Sequence, residues 1–563
     1  MSLTVENMDI ASTNLPSGDQ LMGADLLTRT QLWSWESLLL LGLVSIVTLF
    51  LFVKVLFGGA GGLQGRKAVK LRQPPGPRPL PIIGNMHQFG SQPHISLWNL
   101  AKKYGPIMHL KLGSQRVVVV SSADAAREFL KVQDKVWAGR PPAPGASIFE
   151  EKIVDIVWST YGNYWRHLRK ILTIEILTSK RLESFRPLRT QEFSQMVRSI
   201  WDDSQQGKVV DLAVKISHLS FNNMTRMLLN KRFFGVNASG QEEAFRFKEA
   251  NTKFLSLAGV ISISDYIPWL AWITKATGFN KYMKKVKAEV DNMFHEFLEV
   301  KKNGKKLQNN DSTTPATAAD ENQNQPEDFV DILLRQPAED GTGHLADISI
   351  KAVIQDMIVA GTDTSSNVVE WGISELIRHP EAEKKLQEEL DRVIGKERTV
   401  TEADIPNLPY LNAVVKETFR LHPQTPINLP HKSIEDTTLG GFDFPVNTIL
   451  LLNIYAIQRD PKWWERPEEF DPERFIKNPE INVTGNHFQL IPFGSGRRQC
   501  PGMPLGVLFV QMGLARLVHS FQFSLPDAAD PATLDMTARF GLTAPRTVPL
   551  KLVCKPRLPN HLY

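Results

Sequence analysis

Ten residues, FGSGRRQCPG from Phe493 to Gly502, hold one of only two cysteines in a chain of 563 residues. Glycines at 494, 496 and 502, with Pro501, exclude a tidy helix or strand end and make a tight loop whose backbone approaches a flat partner closely. A strongly apolar helix follows from about Leu505, so the Cys500 thiol lies just before a helix N-terminus and beside Arg497 and Arg498. Helix dipole and cations both favour a thiolate. A structural cysteine is better served by an apolar run such as KLVCK around Cys554. A nucleophile needs a histidine base, and nothing ties His487, the nearest in sequence, to this thiol. Ligation of a metal by a lone thiolate is the reading that remains.

Three further patterns carry chemistry. AGTDTSS, Ala360 to Ser366, interrupts a stretch whose flanks repeat apolar residues at helical spacing. Gly361, Asp363, Thr364 and Ser365 are poor helix formers, and the pattern predicts a local opening of the hydrogen-bond ladder in a buried helix. In KETFR, Glu417 and Arg420 share one helix face, and DPERF supplies Arg474. In WRHLR, Trp165 and Arg169 are four apart and stack on one face, while Arg166 and Lys170 lie off that line.

The spacing Phe493-x-x-Gly496-x-Arg498-x-Cys500-x-Gly502 is similar to the haem-binding loop of cytochromes P450, and the other motifs follow in the order of the microsomal members. The resemblance covers roughly Pro74 to the C-terminus. It implies a mainly α fold with small β-sheets, a single large haem domain (82–563) behind an N-terminal transmembrane helix. Cys500 would ligate haem b, with Phe493 in the same loop. Thr364 would hold a water against bound dioxygen, Asp363 would pass protons from solvent, and Gly361 would leave room for the ligand. Glu417, Arg420 and Arg474 would form a buried triad that locks the loop. Trp165, Arg169, Arg498 and His431, from LPHKS, would meet the haem propionates. Arg166 and Lys170 would dock an acidic electron donor.

The implied reaction is insertion of one oxygen atom from O2 into a small hydrophobic substrate. Electrons would come from NADPH through a separate NADPH–cytochrome P450 reductase, because no Gly-rich dinucleotide fingerprint follows a predicted strand. Two other classes exist. Electron-independent isomerases and dehydratases of this family typically lack the acid–alcohol pair that Asp363 and Thr364 supply. A haem-based sensor needs no proton relay. AGTDTS, LPHKS and CPGMPLG resemble the plant A-type group. Within it, Phe221 to Gly235, Ser264 to Trp272 and Ile350 to Ile358 are similar to in-chain fatty-acid hydroxylases, whereas VIGKERTVTEADIPNLPYL is similar to phenolic ring hydroxylases. The favoured substrate is phenolic or flavonoid-like, with a fatty acid as the alternative. The resemblance puts the pocket walls near Phe149, Ile354 to Ala360, Thr425 to Leu429 and Phe540 to Leu542, mostly apolar and without a charge to grip a carboxylate.

The elements that must position these residues follow from the rest of the chain. Residues 1–36 form a polar tail, and 37–57 are apolar apart from Lys54, long enough to cross a bilayer as a helix. Acidic residues precede this span and Arg66, Lys67, Lys70 and Arg72 follow it, which leaves the body in the cytosol; the resemblance to microsomal members implies that the membrane is that of the endoplasmic reticulum. Asn-x-Ser/Thr triplets such as that at Asn223 should then carry no sugar. A Gly- and Pro-rich linker, 58–81, contains a stiff extended strap from Pro74 to Pro81. Two strands are expected at His109 to Gly113 and Arg116 to Ser122, and a last one around Val548 to Val553. The low-complexity segment 301–327 reads as a disordered insertion. A formal net charge of +5 on this length gives no argument for nucleic acid.

Overall fold

The computed structural model describes residues 39–49, 71–142, 154–235, 245–247, 249–250, 253, 263–310 and 327–563. The chain divides into two compact units, Met1–Lys70 and Leu71–Tyr563. In the first, Leu39–Leu49 is an apolar helix with its large side chains exposed. It covers residues 39–49 of the expected span 37–57; Lys54 and the start of the linker, 58–70, lie outside the described residues.

The second unit is mainly helical. Its longer helices are α1 (Pro93–Tyr104), α2 (Asn163–Lys170), α3 (Arg186–Gln205), α4 (Leu212–Leu229), α5 (Phe279–Asn310), α6 (Asp347–Arg378), α7 (Pro380–Val393), α8 (Pro409–Leu421) and α9 (Met503–Ser520). Among the described residues, nine short strands make small sheets: β1 (Ile107–Leu112), β2 (Gln115–Val120), β3 (Val210–Asp211), β4 (His431–Lys432), β5 (Thr437–Leu439), β6 (Phe442–Phe444), β7 (Ile449–Leu452), β8 (Phe521–Ser524) and β9 (Lys551–Pro556). The largest sheet has the order β1-β2-β7-β4, and β3-β9-β8 and β5-β6 form the others. Val117 to Val120 and Ile449 to Leu452 pair in parallel and are buried throughout, as continuous apolar runs inside a covered sheet should be.

The proline strap belongs to this body, so the linker is shorter than the expected 58–81. Pro75 O accepts from His109 N–H at 2.9 Å. The Asn85 amide donates to the carbonyls of Pro77 and Arg78, and its oxygen accepts from Lys111 N–H at 2.8 Å. Extended proline backbone has free carbonyls, and the edge of β1 and the buried Asn85 use them.

Two other expectations shift. α5 continues to Asn310, so the first ten residues of the low-complexity segment are helical. Lys301 pairs with Asp328 and Asp331, and Lys302 with Asp347, which anchors that end of the helix. Residues 311–326 lie outside the described residues. The last strand begins at Lys551, later than expected, where pairing of Cys554 with Phe523 sets its register against β8.

The main core packs α3, α4, α6, α7, α8 and α9 around residues such as Phe193, Val369, Leu386, Val414 and Leu517. α9 is apolar enough to span a membrane, but most of it is buried in this core. The middle of α6 therefore has helices on most sides and a cavity on the remaining one.

Candidate active site

The cavity holds about 630 Å3 between α6 and the loop that precedes α9. Cys500, Phe493, Arg498, Trp165, Arg169, Gly361 and Thr364 all line it. Motifs far apart in sequence thus meet at one place.

The cysteine loop is built around a single turn, Gly496–Arg498. Cys500 N–H donates to Phe493 O at 3.0 Å and closes it. Gly496 has φ +71°, and a Cβ there would stand 2.1 Å from Leu130 O, so only glycine fits. The thiol is walled in by protein, but its sulfur opens on the cavity. Burial pushes its pKa up; the N–H groups of Gly502 and Met503 and the charge of Arg169 pull the other way. The helix-terminus part of the expectation holds and the role of the adjacent arginines does not. Arg497 turns to Asp134 at 3.2 Å and to the Tyr161 hydroxyl at 3.1 Å. Arg498 donates to the carbonyls of Ala138, Ser159 and Ile156. The turn carries both side chains away from the sulfur. A cation bound at the sulfur would reverse the burial penalty.

The rim tests whether a haem fits. Arg140, Arg169 and Arg498 line it, and none has a carboxylate in ion-pair contact among the described residues. Burial lowers the pKa of all three; the charge of Asp155 opposes this at Arg140 and Arg498, while Arg498 further lowers Arg140 and Arg169 further lowers Arg498. The Trp165 ring lies 4.5 Å from the Arg498 guanidinium and 6.0 Å from that of Arg169, so the tryptophan spaces the cations. Cations that are buried (Arg140) or half-buried (Arg169, Arg498) would suit the two propionates of a haem, and Phe493, Leu505 and Gly506 line the cavity beside them. Sequence reasoning missed Arg140; its only signal was a charge inside the run VWAGRPP. His431 is not brought to this rim. It is buried in β4, its Nδ1 bonds Trp137 O at 2.9 Å, and burial followed by the charge of Arg140 holds its pKa well below the ordinary value. The bond to Trp137 O holds the ring in β4, and Arg140 is a cation that lines the cavity.

α6 supplies the opposite wall. It is unbroken α-helix, so the expected opening at 360–366 is absent. Thr364 Oγ1 donates to Ala360 O at 2.5 Å, Thr362 Oγ1 to Ile358 O at 2.8 Å and Ser366 Oγ to Thr362 O at 3.1 Å. Hydroxyls that bond back four residues are satisfied without breaking the ladder. Thr364 lines the cavity, whereas Asp363 is not part of its wall. Gly361 also differs from expectation. A Cβ on it would meet Met224 Sδ of α4 at 2.7 Å, so its missing side chain first admits the neighbouring helix. Ala360 is the residue of this pair with an exposed surface, and it faces the cavity.

The expected walls are partly as read. Thr425, Leu429 and Leu542 line the cavity; Phe149 lies outside the described residues. The walls also carry charge: Asp155 and Asp356 line the cavity, and so do Lys287 and Lys351.

The triad assembles. Arg420 is bidentate to Glu417 at 2.7 and 2.8 Å, and Arg474 Nε reaches Glu417 at 3.0 Å, all three buried. Asp471 N–H also donates to Glu417, and Arg420 donates to the carbonyls of Gln458, Pro467 and Glu469. The link to the cysteine loop is indirect. Gln458, unnoticed in the sequence, donates to Phe419 O and Arg420 O and accepts from Ile491 N–H at 3.1 Å. Arg166 and Lys170 are exposed on α2.

The chain is 40% identical over 505 residues to the flavonoid 3'-monooxygenase of Petunia hybrida, covering 88% of this chain and 95% of that protein. It is 39% identical over 497 residues to cytochrome P450 703A2 of Arabidopsis thaliana, covering 87% and 94%. A solved zebra fish cytochrome P450 with abiraterone matches with a TM-score of 0.65 at 26% identity, over 83% of this chain and 100% of that one. The sequence model described as Cytochrome P450 matches residues 74–550. Because that match runs from the proline strap to the residue before β9, the chain belongs to the cytochrome P450 family of haem-thiolate monooxygenases.

Proposed function

We propose that the protein hydroxylates a phenolic or flavonoid-type plant metabolite, with haem b held at Cys500 and electrons delivered from NADPH by a separate membrane-bound reductase. The observation that carries this is one cavity, mostly apolar, with the Cys500 sulfur on one wall and the Thr364 hydroxyl on another. Haem ligated by a thiolate supplies dioxygen binding and O–O cleavage. The chain does the rest. Arg140, Arg169 and Arg498 hold the charged edge, and Phe493 supports the face on the cysteine side. Thr364, tethered to Ala360 O, keeps a hydroxyl at a fixed point of the wall and holds a proton there. Asp363, next along α6 but off the wall, brings protons from outside.

The substrate class is supported by the Petunia relative, named a flavonoid 3'-monooxygenase. Residues 37–57 anchor the chain once in the endoplasmic reticulum membrane, with the body cytosolic. Exposed Arg166 and Lys170 steer the acidic face of the reductase.

The test is titration of flavonoids, hydroxycinnamoyl esters and fatty acids against the ferric protein while its Soret band is recorded, followed by NADPH turnover with reductase. Flavonoids should shift the band and be hydroxylated; a shift with fatty acids alone overturns the substrate class. Cys500→Ala should abolish haem retention. Thr364→Ala should spend NADPH without matching product, and a fully coupled variant would refute its proton role.

A further inference from the structure

Asp356, Ala360 and Thr364 recur every four residues on α6, and all three line the cavity. The first is a carboxyl where the others are a methyl and a hydroxyl. Its neighbours show what it is for. Asp356 Oδ2 accepts from Ile156 N–H at 2.8 Å, and Val157 N–H is directed at the same carboxyl. Ile156 O in turn accepts from Trp165 Nε1–H at 3.0 Å and from Arg498 at 3.3 Å. Ile156 is therefore bonded to α6 through its N–H and to the cationic rim through its C=O.

The rest of the segment is equally committed. Asp155 accepts from Trp158 N–H at 2.5 Å, with Val157 and Ser159 N–H around the same carboxyl. Arg140 Nε donates to Val157 O at 3.1 Å. The Tyr164 hydroxyl bonds both Val154 O and Ser349 Oγ of α6 at 2.8 Å, a second tie to that helix. Burial first, and the charge of Asp155 second, push the Asp356 acid well above the ordinary carboxylate range, against the pull of the two N–H groups. Burying a carboxyl at such a cost needs a return, and its bonds go to the loop.

We propose that Asp356 is a positioning residue: its carboxyl hangs the segment 154–159 on α6, and through Ile156 it sets Trp165 and Arg498 at the rim and closes the wall over the substrate. This rests on the reading that the rim receives the haem propionates. α6 and the cationic rim are then joined through Ile156, so a change at a substrate-facing residue of α6 is felt at the rim.

The experiment compares the parent holoenzyme with Asp356→Asn and Asp356→Leu by amide hydrogen exchange, haem content and substrate titration. Leucine removes both acceptors at similar size, and asparagine keeps one. In Asp356→Leu, peptides covering 154–159 should exchange roughly ten-fold faster, with α8 unchanged. KM and the spectral dissociation constant should rise roughly ten-fold, and kcat should fall less. Asp356→Asn should fall between parent and leucine. Unchanged exchange at 154–159 in both variants overturns the proposal. So does lost turnover at unchanged exchange, which would make the carboxyl a direct substrate contact. If Asp356→Leu does not fold, Asp356→Asn decides alone by the same exchange criterion. A parent without haem would sink the proposed function, while the exchange contrast would still decide for or against the tie.

Discussion

A methyl group is the smallest change that can be made at Gly361, and it would put a carbon 2.7 Å from Met224 Sδ. The methionine is flexible and itself lines the cavity, so it has somewhere to go. Gly361→Ala should cost about 1–3 kcal/mol and push Met224 into the substrate space. Product distribution measured with and without a second change, Met224→Ala, checks this, because the pair should recover the parent pattern. Glu417 is the opposite case, a group with no slack. Glu417→Gln leaves Arg420 and Arg474 buried against a neutral amide, and breaking such a pair costs about 3–5 kcal/mol. Urea midpoint and haem-loaded fraction should fall together; an unchanged midpoint would mean that the carbonyls around Arg420 suffice. Legibility at this scale follows from what a residue needs. Cys500, Thr364 and the triad bring their chemistry within short motifs and could be read. Arg140, Asp155, Asp356 and Gln458 take theirs from chain segments far away in sequence, which no local spacing reveals. Gly361 also packs against Met224 of α4, and His431 bonds Trp137 O, which no motif revealed.

Elements obey local chemistry until packing decides otherwise. The polar middle of α6 looked like a break because glycine, threonine and serine weaken isolated helices. Packed among α4, α8 and α9, the helix stays whole and its hydroxyls bond backwards. The lysine-rich end of α5 looked unstructured because it has little to bury, yet carboxylates at Asp328, Asp331 and Asp347 hold its first turn beyond Val300. α7 offers a test of sign. Glu383 is buried against β8, accepts from Gln387 and Gln522 at 3.1 Å, and is pushed up to about 7 by burial, with Arg557 and Gln522 opposing. The folded state therefore holds this proton where the unfolded chain, near 4.5, has released it. Stability from this group is full below about pH 4.5 and falls as pH rises to 7, by about 3 kcal/mol, then levels. Glu383→Gln keeps the acceptor and loses the titration. Its urea midpoint should fall less between pH 5 and pH 8 than the parent's, and parallel curves would show that the carboxyl is ionised throughout.

At the scale of the molecule, the family resemblance carried the fold, and composition alone would have given only a large mainly helical body. The strap at Pro74 to Pro81 was legible as extended but not as part of that body, because its partners are His109 in β1 and the buried amide of Asn85. Its attachment makes a prediction about the two units. A chain starting at Leu71 should keep the strap's bonds to β1, fold, and retain haem, while full-length protein floats with lipid vesicles and the shortened form partitions less. Loss of haem from the shortened form would show that the first unit is needed for folding.

The two cysteines differ in a way that makes the protein report on itself. Cys554 is buried between strands with its thiol pushed up to about 12, so it is inert to alkylation near neutral pH. Cys500 opens on the cavity, and a bound iron would occupy its sulfur. A small thiol reagent that enters the cavity should label one sulfur in each haem-free molecule and none in each loaded one. The ratio of label to protein then counts vacant sites directly, without a spectrum and without a substrate.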